Sequence, residues 1–170
     1  VLIAVAVALI TFVVFLPSLD NDFNYDDDET ILRNEHYRGF GAENLRWMLT
    51  TFHMGHYHPL TWVSLAADHA LWGMTPRGYH TTNLLLHSLS AALVFLIARV
   101  MLERLKPPKD GSASINVGAA AAGLLFALHP LRAESVAWIT ERRDVVSGLV
   151  YVSAILAYLR AAEAGARLRA

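Results

Sequence analysis

The chain opens on a stretch, Val1 to Leu16, that carries no charged side chain and a single hydroxyl, Thr11. A helix crosses the hydrocarbon core of a bilayer with about 20 apolar residues, in a working range of roughly 17–25. Val1–Leu19 meets that length, with Pro17 near its end. A secretory signal peptide would carry a basic n-region and a small-residue cleavage site. Here no Lys or Arg precedes the apolar run. The run reads as a spanning helix whose natural start lies upstream, and the chain as a piece of a longer protein.

Three further segments have the same character. Thr82–Leu102 is apolar apart from His87 and Arg99 among its long side chains. Ile115–Leu131 is rich in Ala and Gly, which suits a helix packed closely against its neighbours. Val145–Arg160 ends on an arginine able to snorkel to the interface. The composition agrees: 55% of the chain is hydrophobic and only 17% charged, against about 25% charged in ordinary soluble domains. A net charge of −1 argues against a nucleic-acid partner, which calls for a basic stripe. With no cysteine, disulfides and thiolate metal sites are excluded.

The charges between these segments give an orientation. Residues 17–81 hold nine acids and four bases, whereas 99–116 and 160–170 are each net +2. Residues 129–144 carry three of each sign. Excess Lys and Arg mark the cytoplasmic side. Four spans, at about 1–19, 82–102, 115–131 and 145–160, then leave both ends cytoplasmic and loops 20–81 and 129–144 outside. The first outer loop holds helical patterns at about 43–53 and 59–72. Its Trp47, Tyr57, Trp62, Trp72 and Tyr79 suit helices lying in the headgroup zone. The expected fold is an all-α polytopic membrane protein, a bundle of about four transmembrane helices with interfacial helices in its first outer loop.

Several polar clusters carry candidate chemistry. Asp26, Asp27, Asp28 and Glu29 follow the first span directly. Adjacent carboxylates near lipid make a general base or a metal ligand; the other reading is a solvated acidic turn at a helix N-terminus. Residues 129–144 hold His129, Glu134, Glu141, Arg142, Arg143 and Asp144 on the same side as that cluster. An arginine there could clamp a phosphate through paired hydrogen bonds, or pair internally, for example with Glu134. His80, Asn83 and His87 share one face of the second span. Interhelical hydrogen bonding accounts for His87, while His80 and Asn83 are open to either reading. His53, His56 and His58 lack the i, i+4 spacing of a helical two-histidine metal site, and no metal is expected.

Four phrases occur in order: Asn24-Tyr-Asp-Asp27, Tyr57-His-Pro-Leu-Thr-Trp62, Gly78-Tyr-His-Thr-Thr-Asn-Leu-Leu-Leu-His87, and His129-Pro-Leu-Arg-Ala-Glu134 running through Trp138 to Glu141-Arg-Arg-Asp144. Together they resemble the membrane half of bacterial tetratricopeptide-repeat proteins related to the animal transmembrane and tetratricopeptide-repeat O-mannosyltransferases. The wider group is similar to the GT-C glycosyltransferase superfamily. The resemblance covers nearly the whole chain.

The resemblance implies an enzyme of the bacterial inner membrane that transfers a sugar from a polyprenyl- or dolichyl-phosphate carrier to a protein or glycan hydroxyl. It maps the catalytic acidic pair onto Asp26 and Asp27 and leaves the roles of Asp28 and Glu29 open. His58 stands where some relatives, animal members included, carry Arg, which weakens its case as a phosphate ligand. The substrate-binding candidates are then Asp28, Glu29, His58, His80, Asn83, His129, Glu134, Arg142 and Arg143. A base within hydrogen-bond reach of the acceptor contributes about 10²–10⁴-fold. Direct displacement would invert the anomeric centre without a metal or cofactor. Enzymes of this kind carry more than four spans followed by repeats, so this piece alone should be inactive. The competing reading is a non-catalytic membrane anchor for such repeats.

Overall fold

The computed structural model describes residues 1–105 and 113–167. Among the described residues there are helices and turns and no named strand. The helices are α1 (Leu2–Val14), α2 (Ala42–Thr50), α3 (Pro59–Trp72), α4 (Pro76–Leu105), α5 (Ala113–Ala127), α6 (Arg132–Ala137) and α7 (Arg142–Arg167). A 3₁₀ turn covers Leu16–Asp20 and a single π-helical turn covers Asp28–Leu32. The chain divides into two compact units, with α4 and α7 contributing residues to both.

One unit comprises Val1–Val14, Leu85–Arg132 and Ser147–Ala170. Its buried centre is small-residue rich: Ala4, Val7, Ala91, Phe95, Ala119 and Ala127. α1 packs on α5. At Gly123 of α5 an added Cβ would lie 3.2 Å from both the Ala91 carbonyl oxygen and a Val7 methyl, so glycine lets these backbones approach. His87 reaches the Ala127 carbonyl at 3.0 Å, a hydrogen bond between α4 and α5.

Within this chain α4, with 30 residues, and the Arg142–Gly165 stretch of α7, with 24, are long and apolar enough to cross a membrane. α1 and α5 are apolar but shorter, at 13 and 15 residues. The reason lies at their ends. Pro17 sits in the 3₁₀ turn that follows α1, where a missing N–H and a fixed φ do not continue an α-helix. α5 likewise stops at Ala127, three residues before Pro130.

The other unit comprises Phe15–Leu84 and Ala133–Val146. Its core joins Ile31, Tyr37, Met48, Trp62, Leu65, Ala66, Tyr79 and Ile139, each at most 1% exposed. α2 packs on α3, with the Trp47 and Trp62 rings edge to face at 4.9 Å. Such pairs add about 0.5–1.5 kcal/mol beyond area burial. α3 begins on Pro59, whose missing N–H costs nothing in a first turn. It ends at Gly73, where φ is +62°. Burying three carboxylates, Asp27, Asp68 and Glu141, and the Arg142 guanidinium in so small a unit requires partners for each, and those partners form the site.

Candidate functional site

The site is built by the acidic turn 24–32, a hairpin at 53–56 and the segment 134–143. Asn24 and Asp27 lock the turn reciprocally. The Asn24 amide donates to Asp27 Oδ2 at 3.0 Å, and the Asp27 amide donates to the Asn24 carbonyl at 3.0 Å. Between them Tyr25 is forced to φ +50°, a region that bulky side chains rarely adopt.

The two aspartates then diverge. Asp27 is buried, 1% exposed. Its Oδ1 accepts from the Thr140 hydroxyl at 2.6 Å and the Thr140 amide at 2.8 Å. Asp26 is exposed and lines a small cavity of about 90 Å3 with Thr30, His53, Met54, His56, His58, Thr140 and Arg143. Asp28 pairs with Arg33 at 2.6 Å on the surface. Glu29 is exposed.

The histidines reach the cavity through a tight hairpin. His53 and His56 exchange both backbone hydrogen bonds, at 3.1 and 2.9 Å. Met54 and Gly55 between them hold φ of +48° and +82°, the double positive φ that two-residue hairpins favour. His58 precedes Pro59 and lies over Trp62 with ring centroids 4.9 Å apart. Burial holds His58 below the ordinary histidine value, and the nearby Arg143, His56 and His53 act in the same direction. Burial also lowers His53, against the pull of Glu29. Among the described residues no group of three or more His, Cys, Asp or Glu is arranged to hold a metal ion.

The two adjacent arginines separate as the aspartates do. Arg142 is fully buried. Its Nη2 donates to Asp68 Oδ2 at 2.6 Å and to the Tyr79 carbonyl at 2.8 Å, while Nε donates to Asn83 Oδ1. Asn83 in turn donates to the Trp138 carbonyl at 3.2 Å, and Thr82 donates its hydroxyl to Asp68 at 2.6 Å. Arg142 is thus engaged internally, with Asp68 rather than Glu134 as its partner. Arg143 is partly exposed, pairs with Glu141 and faces the cavity. Burial raises the Glu141 carboxyl above its usual range, opposed by Arg143.

Of the sequence candidates, the structure gathers Asp26, His58 and Arg143 at one cavity, with Asp27 held just behind it by Thr140. His80 and Asn83 are buried on α4. Glu134 lines a separate cleft. His129 belongs to the other unit, where Nδ1 accepts from the Leu131 amide at 3.3 Å beside an apolar groove. Thr140 and Asp68 were not among the site candidates. A hydroxyl and a carboxylate set close to apolar runs are the only sequence signal either one gives.

Comparison with known proteins adds relatives. Protein O-mannosyl-transferase Tmtc1 of Drosophila melanogaster is 36% identical over 159 residues, covering 89% of this chain and 17% of the relative. Human TMTC2, a protein O-mannosyl-transferase, is 31% identical over 86% of the chain and 17% of its own length. The chain is related to the TMTC protein O-mannosyl-transferases. Human TMTC4 of the same name is 31% identical over 91% of the chain and 22% of the relative. The chain therefore spans about a fifth of these TMTC relatives. No family model matches the chain, and no solved structure does.

Proposed function

We propose that the chain is part of a membrane glycosyltransferase of the GT-C type. It moves a mannose-like sugar from a polyprenyl- or dolichyl-phosphate carrier to a protein hydroxyl, with inversion at the anomeric carbon. The carrying observation is the cavity that sets the exposed carboxylate of Asp26 beside the Arg143 guanidinium and three histidines. The neighbouring carboxylate, Asp27, is already committed to Thr140. The O-mannosyl-transferase names of the relatives support the sugar and the protein acceptor.

In this reading Asp26 is the base and Asp27 the strut that fixes its turn. The acceptor oxygen bonds to the anomeric carbon as the bond from that carbon to the phosphate oxygen breaks. The hydroxyl proton passes to Asp26, and the electron pair leaves on the carrier phosphate. That phosphate needs positive charge or N–H donors aimed at it more than it needs a proton. Arg143 supplies the charge, with His56 beside it in the cavity as an N–H donor. Arg142 acts from behind, holding the 138–143 segment through Asp68 and Asn83. The step requires no metal.

The membrane setting follows the same reading. α4 and α7 cross the bilayer, and the shorter α1 and α5 complete four spans in an inner membrane. Both ends are cytoplasmic, with loops 20–81 and 129–144 outside.

The test uses membranes carrying the protein at its natural length, incubated with radiolabelled polyprenyl-phosphate mannose. Wild type should transfer label to protein. Asp26→Asn should lower transfer by about 10²–10⁴-fold at matched expression. Wild type without transfer would favour the non-catalytic anchor instead.

A further inference from the structure

A second, larger cleft of about 510 Å3 opens within the same compact unit. It is lined by Asn21, Asn24, Tyr25, Glu134, Ala137 and Trp138, none of which lines the Asp26 cavity. The volume lies within the roughly 300–1,000 Å3 usual for ligand sites.

Three of these residues point to one chemistry. The Tyr25 and Trp138 rings meet edge to face, with centroids 5.8 Å apart and planes at 64°. Planes so inclined turn one face of each ring toward the corner between them. Ring faces carry the negative part of the aromatic quadrupole, and a cation within about 6 Å of a centroid is attracted to it. Tyr25 is 86% exposed, yet its backbone is held at φ +50° by the lock between Asn24 and Asp27. Residues held in such sparsely populated regions cluster at ligand clamps. Glu134 is exposed, and its carboxylate has no hydrogen bond or ion pair among the described residues. The lining includes no Lys, Arg or His, and the adjoining stretch Asp20–Glu29 carries six acids. The Asn21 and Asn24 amide nitrogens already donate to the Ala137 and Asp22 carbonyls, at 3.4 and 2.9 Å. Their amide oxygens are left as acceptors.

We propose that this cleft binds the primary ammonium headgroup of a zwitterionic, ethanolamine-type phospholipid between the two rings and Glu134. Two π faces, a carboxylate and two amide oxygens suit a cation that carries three N–H donors. A quaternary ammonium would use the rings but give the amide oxygens no donor. An anionic headgroup would bring its charge to a lining without a cation and beside six acids. The place of the cleft along the chain favours a lipid over a soluble amine. Trp138 stands four residues before α7, whose Arg142–Gly165 stretch is long and apolar enough to cross a membrane. Trp and Tyr beside such spans sit at headgroup level, where the membrane presents this ammonium at high local concentration. A bound headgroup would join the Tyr25 and Glu134–Trp138 stretches, beside the place where Thr140 already holds Asp27. The inference needs the membrane but not the transfer reaction proposed above.

The test is calorimetric titration of the protein at its natural length, held in a non-ionic maltoside detergent. The probes are water-soluble dihexanoyl phosphatidylethanolamine, its phosphatidylcholine and phosphatidylglycerol counterparts, and glycerophosphoethanolamine, which has the headgroup without acyl chains. Wild type should bind the ethanolamine lipid most tightly and the glycerol lipid about ten-fold or more weakly, as like charges exclude a wrong partner. Tyr25→Ala and Trp138→Ala should each raise the Kd for the ethanolamine lipid by about five-fold or more. Trp138→Phe keeps a π face and should recover most of the loss. Glu134→Gln should weaken the ethanolamine lipid without weakening the glycerol lipid, and Glu134→Lys should reverse their order. Glu134 is exposed, so these two variants keep the fold even where an aromatic truncation does not. An unchanged order of lipids in Glu134→Lys, or unchanged Kd values in both aromatic truncations, would overturn the site. Choline lipid binding as tightly as ethanolamine lipid would overturn the primary ammonium. Glycerophosphoethanolamine binding as tightly as the lipid would overturn the membrane source in favour of a soluble amine.

Discussion

Thr140 donates two hydrogen bonds to a single carboxylate oxygen of Asp27, across 113 residues of sequence. This contact ties the acidic turn to the segment that carries Arg143. Leaving a buried acceptor short of one donor costs about 1–3 kcal/mol. Thr140→Val should therefore destabilise the protein by that amount, and Thr140→Ser should restore most of it. Asp27→Asn should destabilise too, because an amide group directed at either Thr140 or the Asn24 N–H meets a donor with a donor. Asp26→Asn should leave stability unchanged. Denaturant unfolding of the four variants checks this, and equal losses in Asp26→Asn and Asp27→Asn would refute the division of labour.

The Arg142–Asp68 pair predicts a larger effect. Both side chains are buried, and the guanidinium also serves Asn83 and the Tyr79 carbonyl. Removing one partner from a buried pair strands the other charge, at about 3–5 kcal/mol. Arg142→Ala should lose that much. Arg142→Lys should remain well below wild type, because an ammonium cannot reproduce the planar fork. The double variant Arg142→Met, Asp68→Leu should be more stable than Arg142→Ala alone, since it leaves no unpaired charge. A melting temperature for Arg142→Ala equal to wild type would show that the pair contributes nothing.

These two relationships also mark where the sequence stops being informative. Local chemistry writes itself into local residues: Pro59 and Gly73 bracket α3, and Met54-Gly55 sets the histidine hairpin. Pro17 ends α1 early even though the apolar run continues to Leu19, so hydrophobicity alone overstated that helix. Asp26 and Asp27 are chemically identical neighbours, as are Arg142 and Arg143. Which member of each pair is buried depends on Thr140, Asp68 and Asn83, whose contacts span 59 to 113 residues. No periodicity or motif encodes such a distance. The contact between the Tyr25 and Trp138 rings is unreadable for a related reason, since the two meet only after folding.

The histidines give the protein a pH dependence of definite sign. Burial lowers both His53 and His58 from the ordinary value of 6.5. The unfolded chain thus takes up protons on falling through about pH 6.5, while the folded chain does so only at lower pH. Stability should be level above that point, decline as pH drops below it, and level off once the folded histidines protonate. Melting temperatures between pH 5 and 8 should show this decline, and the double variant His53→Gln, His58→Gln should make it shallower. A wild-type profile with no acid slope in that window would contradict the burial of the two rings.

The corner between α3 and α4 makes the last prediction. Gly78 lies against Trp72 so closely that an added Cβ would fall 2.3 Å from Trp72 Cγ and 2.5 Å from its Cβ. These are stem atoms of the indole, which cannot move without shifting the end of α3. Gly78→Ala should therefore cost about 1–3 kcal/mol, the usual range for overpacking. Tyr79, the next residue, supplies the carbonyl that Arg142 uses, so the strain would reach the buried pair. In the double variant Gly78→Ala, Trp72→Ala the clash is gone, and the two effects should combine to less than their sum by about 0.5–3 kcal/mol. Strict additivity in that cycle would mean that Trp72 swings aside freely and that glycine at position 78 serves some other purpose.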